Sequence, residues 1–226
     1  MKKNSILGMF VMVLVLGFIF IGCNTGNGDD NGNDGYLFVI GETGPAGGTV
    51  FYDKGSYSDG WRYMEATPDV PEFYKLGDDD YYNCFFSTNW FPPNSYPIPG
   101  TNSIDGTSTA IGSGKRNTEI IVAYFDSMGK SGNYAASICA NLNYGSKDDW
   151  FLPSKDELNQ MYLNLKGYHD VRNNMFWSSS QADSSTAWLQ NLDEDTQTTD
   201  DGPVSTGSPF PQRKGRENSV RAIRRF

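Results

Sequence analysis

Asp149-Trp-Phe-Leu-Pro-Ser-Lys-Asp-Glu-Leu158 is the stretch of sequence that decides the fold. Ser154 and Glu157 have the spacing of a capping box, in which each side chain satisfies the other residue's backbone N–H at the start of a helix. Asp156 adds negative charge to the first turn, where the helix dipole is positive. The stretch therefore predicts a helix over 155–165 that directly follows an apolar segment.

Weaker signals on both sides of this helix predict a mixed chain. Helical spacing of apolar residues predicts one helix from Asn117 or Thr118 to about Met128 and a second over 134–143. Apolar and β-branched runs predict strands at 36–40, 49–53, 61–66, 176–180, 187–192 and 219–226. The acidic, Thr- and Pro-rich segment 193–212 is expected to be an extended loop. With 25 glycines and 14% aromatic residues, the composition favours a loop-rich α+β fold as one domain over 36–226.

The first residues of the chain predict export and a lipid anchor. Lys2 and Lys3 precede an apolar run from Ile6 to Ile21. A membrane-spanning helix needs about 20 apolar residues, so this shorter run indicates a secretion signal. Phe20-Ile-Gly-Cys23 resembles the lipobox of bacterial lipoproteins, although an aliphatic residue is usual in place of Phe20. The resemblance implies a signal peptide over 1–22 and acylation of Cys23. An ordinary signal with a chance cysteine and an uncleaved anchor helix are the alternatives.

Residues 23–35 are expected to tether the domain to the membrane. After Cys23 this segment consists of Gly, Asn, Asp and Thr and has no apolar side chain that could join a core. The residue after the cysteine is Asn24, and the Asp that signals inner-membrane retention is absent. The expected location is the cell envelope, at the outer membrane or the cell surface.

The charge of the chain argues against nucleic acid as a partner. The formal net charge is −9, and removal of Lys2 and Lys3 with the signal makes it −11, whereas phosphate binding requires a basic surface. Basic residues concentrate near the C-terminus, where Arg213, Lys214 and Arg216 could pair with sulfate oxygens. The alternative is that these charges only keep the edge of a terminal strand soluble.

The cysteines and the acidic runs leave several kinds of site open. Cys84 and Cys139 are expected to form a disulfide in an exported chain, or else to remain two buried thiols. With the single His169 they provide too few ligands for zinc. Asp78–Asp80 and the acidic residues from Asp193 to Asp201 offer oxygen ligands for calcium but lack EF-hand spacing. No cofactor is therefore expected, and calcium remains the candidate ion.

An aromatic segment over 78–99 has two interpretations. It contains Trp90, Phe91 and Tyr96 among several prolines. Such a segment either packs against the domain, as most large aromatic residues do, or displays an aromatic surface for ligand binding. The second interpretation makes these three residues candidates for ligand contact.

Several segments, in this order, resemble the Lcl C-terminal domain family, named after a collagen-like adhesin. They are Gly44–Tyr52, Gly60–Ala66, Ile111–Thr118, Ala135-Ala136 with Cys139, Asp149–Leu158, Phe176–Ser180, Ala187-Trp188 and Val220–Arg224. The resemblance implies a C-type-lectin-like fold with a small twisted antiparallel sheet, two or three helices and long recognition loops. It also implies that Trp150, Leu152, Trp177 and Trp188 belong to the core.

The family resemblance and the lack of a catalytic motif together favour binding over catalysis. Gly112-Ser-Gly-Lys115 resembles a phosphate loop, but Arg116 stands where a magnesium-binding Ser or Thr is needed. His169 lacks a Gly-x-Ser-x-Gly partner motif, and no cysteine pair follows Cys139 as in formylglycine-generating enzymes on a related fold. We expect a non-catalytic binding module or adhesin for host glycans, such as sulfated glycosaminoglycans, or for matrix proteins. An envelope enzyme on the same scaffold is the alternative.

Overall fold

The structure is a computed structural model that describes residues 36–68, 74–75, 81–82, 88–92, 103–166, 175–192, 197–199, 202–204 and 209–226. Phe38–Phe226 form one compact unit. In the described part of the chain, no helix is long and apolar enough to cross a membrane. The predicted signal, the tether with Cys23, Cys84, Tyr96, His169 and both acidic runs lie outside the described residues.

The described residues form a mixed α+β chain, as the sequence predicts. Its helices are α1 (Gly114–Ser127), α2 (Ala135–Ala140) and α3 (Lys155–Leu165). Its strands are β1 (Thr49–Ser58), β2 (Trp61–Ala66), β3 (Tyr74–Lys75), β4 (Tyr81–Tyr82), β5 (Met175–Gln181), β6 (Thr186–Asn191), β7 (Gln197–Thr199), β8 (Gly202–Val204), β9 (Phe210–Arg213) and β10 (Ile223–Arg225).

Two three-stranded antiparallel sheets organise the fold. The first has the order β1-β2-β10, so the last strand of the chain lies beside the second. Asp59 and Gly60, both with positive φ, form the tight turn between β1 and β2, and such a turn matches the twist of a hairpin. The second sheet has the order β5-β6-β9, while β3 pairs with β4 and β7 with β8.

The Trp150–Leu152 segment joins two hydrophobic clusters because its side chains alternate in direction. Trp150 and Leu152 are buried in the cluster that contains Phe125 and Trp177. Phe151 is buried in the other cluster, which lies around β1, β2, α3 and β10, and it pairs with Ile223. The three predicted core residues Trp150, Leu152 and Trp177 are confirmed. Trp188 is only partly buried, and Lys155 Nζ lies 5.1 Å from its ring centroid.

The element bounds correct several predictions. Helix α3 is confirmed at both ends, whereas α1 starts at Gly114, before the predicted cap, and α2 is shorter than predicted. No strand forms at 36–40, and only Ile223–Arg225 of the last segment is a strand. The predicted loop 193–212 contains β7, β8 and most of β9. Pro211 is tolerated in β9 because β9 is an edge strand, where one side of the backbone needs no partner.

A buried ion network fixes the last strand against the first sheet. The Arg224 guanidinium donates to Glu65 Oε1 at 2.8 Å and to both carboxylate oxygens of Asp149 at 2.7 and 3.1 Å. Glu65 is fully buried and also accepts from the backbone N–H groups of Ala46 and Gly48. Burial raises the pKa of Asp149, but the hydrogen bond and charge of Arg224 outweigh this effect and hold the pKa below its usual value. Four distant segments are thereby joined at one buried point.

A second buried carboxylate links the starts of two helices. Glu157 forms the predicted capping box with Ser154 at the start of α3. It also accepts from Gly112 N at 2.8 Å and Gly114 N at 3.4 Å, where α1 begins. Burial raises the pKa of Glu157, while these backbone hydrogen bonds oppose the rise. A Cβ at Gly114 would collide with this carboxylate, so the position requires glycine. The backbone donors of the phosphate-loop-like motif therefore bind a carboxylate of the same chain.

Candidate functional site

An open cleft of about 510 Å³ lies between the β1–β2 hairpin, the turn before α1 and the end of β10. We call it the hairpin cleft, and its volume falls within the roughly 300–1,000 Å³ of small-molecule sites. Ile111, Ser113 and the backbone of Gly112 contribute to its wall, beside the side chains that define its chemistry: Tyr52, Lys54, Asp59, Trp61 and Arg225.

Lys54 is held in the cleft by the hairpin that carries it. Its Nζ lies 4.0 Å from the centroid of the Trp61 ring and donates to Ser58 O at 2.6 Å. The Asp59 carboxylate is 3.6 Å away and 86% exposed, while the Lys54 side chain is 19% exposed. A cation over an indole ring is stabilised by the negative face of the ring, so the ammonium group is positioned before any ligand arrives.

Arg225 enters the same cleft from the last strand. Because side chains alternate along β10, Arg224 joins the buried ion network and Arg225 turns to the other face. Its Nη1 donates to Gly112 O at 3.3 Å, and its guanidinium carbon lies 5.8 Å from the Trp61 ring centroid. Trp61 thus contacts both cationic groups of the cleft.

The turn that carries Gly112 is fixed by the buried Glu157. Gly112 has φ +88°, a left-handed conformation that a β-carbon would strain. A Cβ there would also approach the Trp61 ring at 3.5 Å. Ser113 uses its hydroxyl locally, donating to Ala110 O at 2.5 Å. Hydrogen bonds from Gly112 to Glu157 and from Ser113 to backbone carbonyls thus hold the wall opposite the hairpin, and the Ser113 hydroxyl is already used within it.

The hairpin cleft combines two cations, one exposed carboxylate and an aromatic wall. The Tyr52 and Trp61 rings lie 6.3 Å apart at a tilt of 39°. Guanidinium and ammonium groups form strong charge-assisted hydrogen bonds with carboxylate, sulfate or phosphate oxygens. The arrangement is suited to holding an anionic group beside an apolar ring, which is binding chemistry.

The sequence predicts an anion site at Arg213, Lys214 and Arg216, and the structure leaves only part of this basic cluster at the surface. Arg213 and Arg216 are exposed, but Lys214 is fully buried. Its Nζ donates to Gln181 Oε1 at 2.7 Å and to Ser184 O at 3.2 Å. Burial lowers the pKa of Lys214 to about 7, against the opposing charge of Asp183. The prediction that Lys214 contacts a surface ligand is wrong, because its head group lies inside the protein.

Trp90 and Phe91 also belong to the interior. They are 1% and 3% exposed, and their ring centroids lie 4.5 and 5.3 Å from Lys214 Nζ. Trp90 Nε1 donates to Ser178 O at 2.9 Å. The packing interpretation is confirmed for both residues, and the displayed-surface interpretation is wrong for them because large rings with satisfied polar atoms favour the core. Tyr96 lies outside the described residues.

The predicted disulfide has one described partner. Among the described residues Cys139 has no disulfide partner; it is 1% exposed in the cluster around Phe125, and burial raises the pKa of its thiol. Because Cys84 lies outside the described residues, the pairing stays a prediction.

A second cleft of about 510 Å³ lies beside α1 and carries mostly acidic groups. Glu119, Asp126 and Asp148 line it together with Lys115. Within the described ranges, no three His, Cys, Asp or Glu residues are arranged to hold a metal ion. His169 lies outside those ranges, so the envelope-enzyme alternative stays a prediction.

Sequence reasoning missed the residues of the hairpin cleft. Trp61 was placed only in a strand, Tyr52 and Lys54 had no assigned role, and Arg225 counted only as part of the basic cluster 213–225. The Asp59-Gly60 pair is a strong hairpin signal, but a regular two-residue hairpin would set Lys54 opposite Glu65. Lys54 comes near Trp61 because the strand register shifts between Asp53 and Ser58. The contact with Arg225 depends on the pairing of β10 with β2, for which the sequence has no local signal.

Comparisons with known proteins give no family. No family model matches the chain. No curated protein is significantly similar to it. The resemblance to the Lcl C-terminal domain family therefore stays a prediction from the quoted segments.

Proposed function

We propose that this protein is a lipid-anchored binding module of the bacterial cell envelope that binds glycans or matrix proteins through anionic groups. The observation that carries the proposal is the placement of Lys54 and Arg225 in one open cleft, both against Trp61. Anchoring through Cys23 at the outer membrane or cell surface is part of the proposal and is supported by the lipobox-like Phe20–Cys23 sequence.

The finer fold assignment, a C-type-lectin-like domain of the Lcl C-terminal type, also belongs to this proposal. It is supported by the two small antiparallel sheets, by α1 and α3, and by long connections between them. Contacts between the segments that resemble the family support it further. Gly48, Glu65, Asp149 and Arg224 come from four of those segments and share one hydrogen-bonded network.

The physical argument for binding is preorganisation. Lys and Arg side chains carry considerable rotamer entropy, which a ligand must otherwise remove when it binds them. In the hairpin cleft the Trp61 ring and the backbone acceptors Ser58 O and Gly112 O already restrain both cations. An anionic ligand therefore meets positioned donors at a low ordering cost.

The test is a glycan and matrix-protein array probed with the full chain, once with calcium and once with chelator. We expect binding to acidic glycans that weakens by about tenfold in Lys54→Met, as for loss of one charged hydrogen-bond donor. Lys147→Met is the matched control, because Lys147 is exposed and lies outside the hairpin cleft. Equal binding by the two variants would contradict the proposed site, and an array without any bound ligand would contradict the proposed function.

A further inference from the structure

We infer that the hairpin cleft binds one sugar unit that carries a single anionic group, and that it disfavours a densely charged polyanion. This inference rests on the proposed binding function and names its ligand class. It follows from the free donors in the cleft, from the position of Asp59 and from the charge of the chain.

The two cations that border the cleft have unused hydrogen-bonding capacity. Arg225 has five N–H donors, and within the described part of the chain its hydrogen bond goes to Gly112 O alone. Lys54 has three donors, with Ser58 O and the nearby Asp59 as its polar partners among the described residues. Both side chains border the same cleft, so one carboxylate or sulfate group placed between them would be bound from two sides.

The remaining groups of the cleft suit a hydroxylated ring. Tyr52 lines the cleft, and its hydroxyl has no hydrogen-bond partner among the described residues. The exposed Asp59 carboxylate accepts hydrogen bonds, and the partly exposed Tyr52 ring and Ile111 supply an apolar wall beside the buried Trp61. A sugar ring presents this combination of hydroxyl donors and apolar C–H faces, whereas a bare inorganic anion would use the two cations only.

Asp59 and the net charge of the chain set the limit to one anionic group. The lining has two cations and one carboxylate, and that carboxylate is exposed in the turn of the hairpin. A second anionic group on a neighbouring sugar would approach Asp59 and be repelled by it. The formal net charge of −9 adds a repulsive field for long polyanions beyond the cleft.

The experiment is isothermal titration of the full chain with three probes: methyl glucuronide, methyl glucoside and glucose 6-sulfate. We expect the glucuronide and the sulfate to bind and the neutral glucoside to bind at least about tenfold more weakly, since it lacks the charged acceptor. Lys54→Met and Arg225→Gln should each remove most of that difference. Lys54→Arg should restore it, and Lys147→Met should leave it unchanged.

Asp59→Asn tests the limit to one charge. It should strengthen the binding of heparin severalfold while changing glucuronide affinity by less, because only the polyanion places a second charge near Asp59. Thermal unfolding of every variant controls for folding. Equal affinity for glucoside and glucuronide at the cleft would overturn the inference and leave the proposed binding function standing. Failure of both charged probes to bind, or heparin binding through the cleft that Asp59→Asn does not change, would also overturn it.

Discussion

The buried Lys214 makes stability depend on pH in a direction that can be calculated. The Lys214→Met substitution keeps an unbranched chain over the rings of Trp90 and Phe91 but removes the ammonium group. Gln181 Oε1 keeps a donor in this variant, since it also accepts from Ile104 N at 2.9 Å. The substitution therefore removes one buried charge and orphans few polar atoms.

The magnitude follows from the pKa of Lys214, which burial lowers from 10.5 to about 7. This difference corresponds to about 5 kcal/mol of cost for the protonated form in the folded state. Below pH 7 both states carry the proton, so the cost is fully present. As the pH rises from 7 toward 10.5, the folded state loses the proton before the unfolded state does, and stability rises by up to about 1.4 kcal/mol per pH unit.

The assay is urea unfolding of wild type and Lys214→Met at a series of pH values from about 7 to 9, since groups common to both proteins cancel in the difference. We expect the difference in unfolding free energy, wild type minus variant, to rise by about 2–3 kcal/mol over this range. Lys147→Met should show a constant difference from wild type. A pH-independent difference for Lys214→Met would refute the reasoning, because it would mean that Lys214 titrates alike in both states.

Three further predictions follow from the other charged groups. Arg224→Met leaves the carboxylate of Glu65 buried without its cation and should lower the unfolding free energy by about 3–5 kcal/mol; a loss below 1 kcal/mol in urea titration would contradict the role of the network. Gly114→Ala pushes a Cβ into the Glu157 carboxylate and should cost about 1–3 kcal/mol, measured by thermal unfolding; an unchanged midpoint would show that the contact relaxes freely. Arg213 and Arg216 are exposed, so replacing both by Ser should reduce a weak, salt-sensitive retention on heparin. Retention that survives this double change would exclude the C-terminal turn as an anion site.

The sequence predicts those parts of the fold that depend on local spacing. The Ser154–Glu157 capping box predicted α3 at both ends, because its hydrogen bonds lie within one turn of helix. The start of α1 was missed, since it is fixed by the carboxylate of Glu157 from a distant part of the chain. The strands within 193–212 were missed because they form by pairing with other strands, which local spacing does not indicate. Of these, β9 is an edge strand that gains its structure from pairing with β6.

The candidate site was not predictable because its charges are close only in the folded chain. Lys54 lies on the first hairpin and Arg225 on the last strand, and only the β1-β2-β10 order brings them to one Trp61 ring. Conversely, Lys214 stands between Arg213 and Gly215 in a basic run that looks solvated. Its burial depends on contacts with residues distant in the sequence, among them Trp90 and Phe91.

The hairpin cleft as a site for an anionic sugar is tested most directly by two-dimensional NMR of the full chain titrated with methyl glucuronide. We predict concentration-dependent shifts of the Trp61 indole N–H and the Gly112 amide, while the Trp188 indole N–H, outside the cleft, stays in place. Shifts confined to the Arg213–Arg216 turn, or none at Trp61 at saturating ligand, would contradict the account.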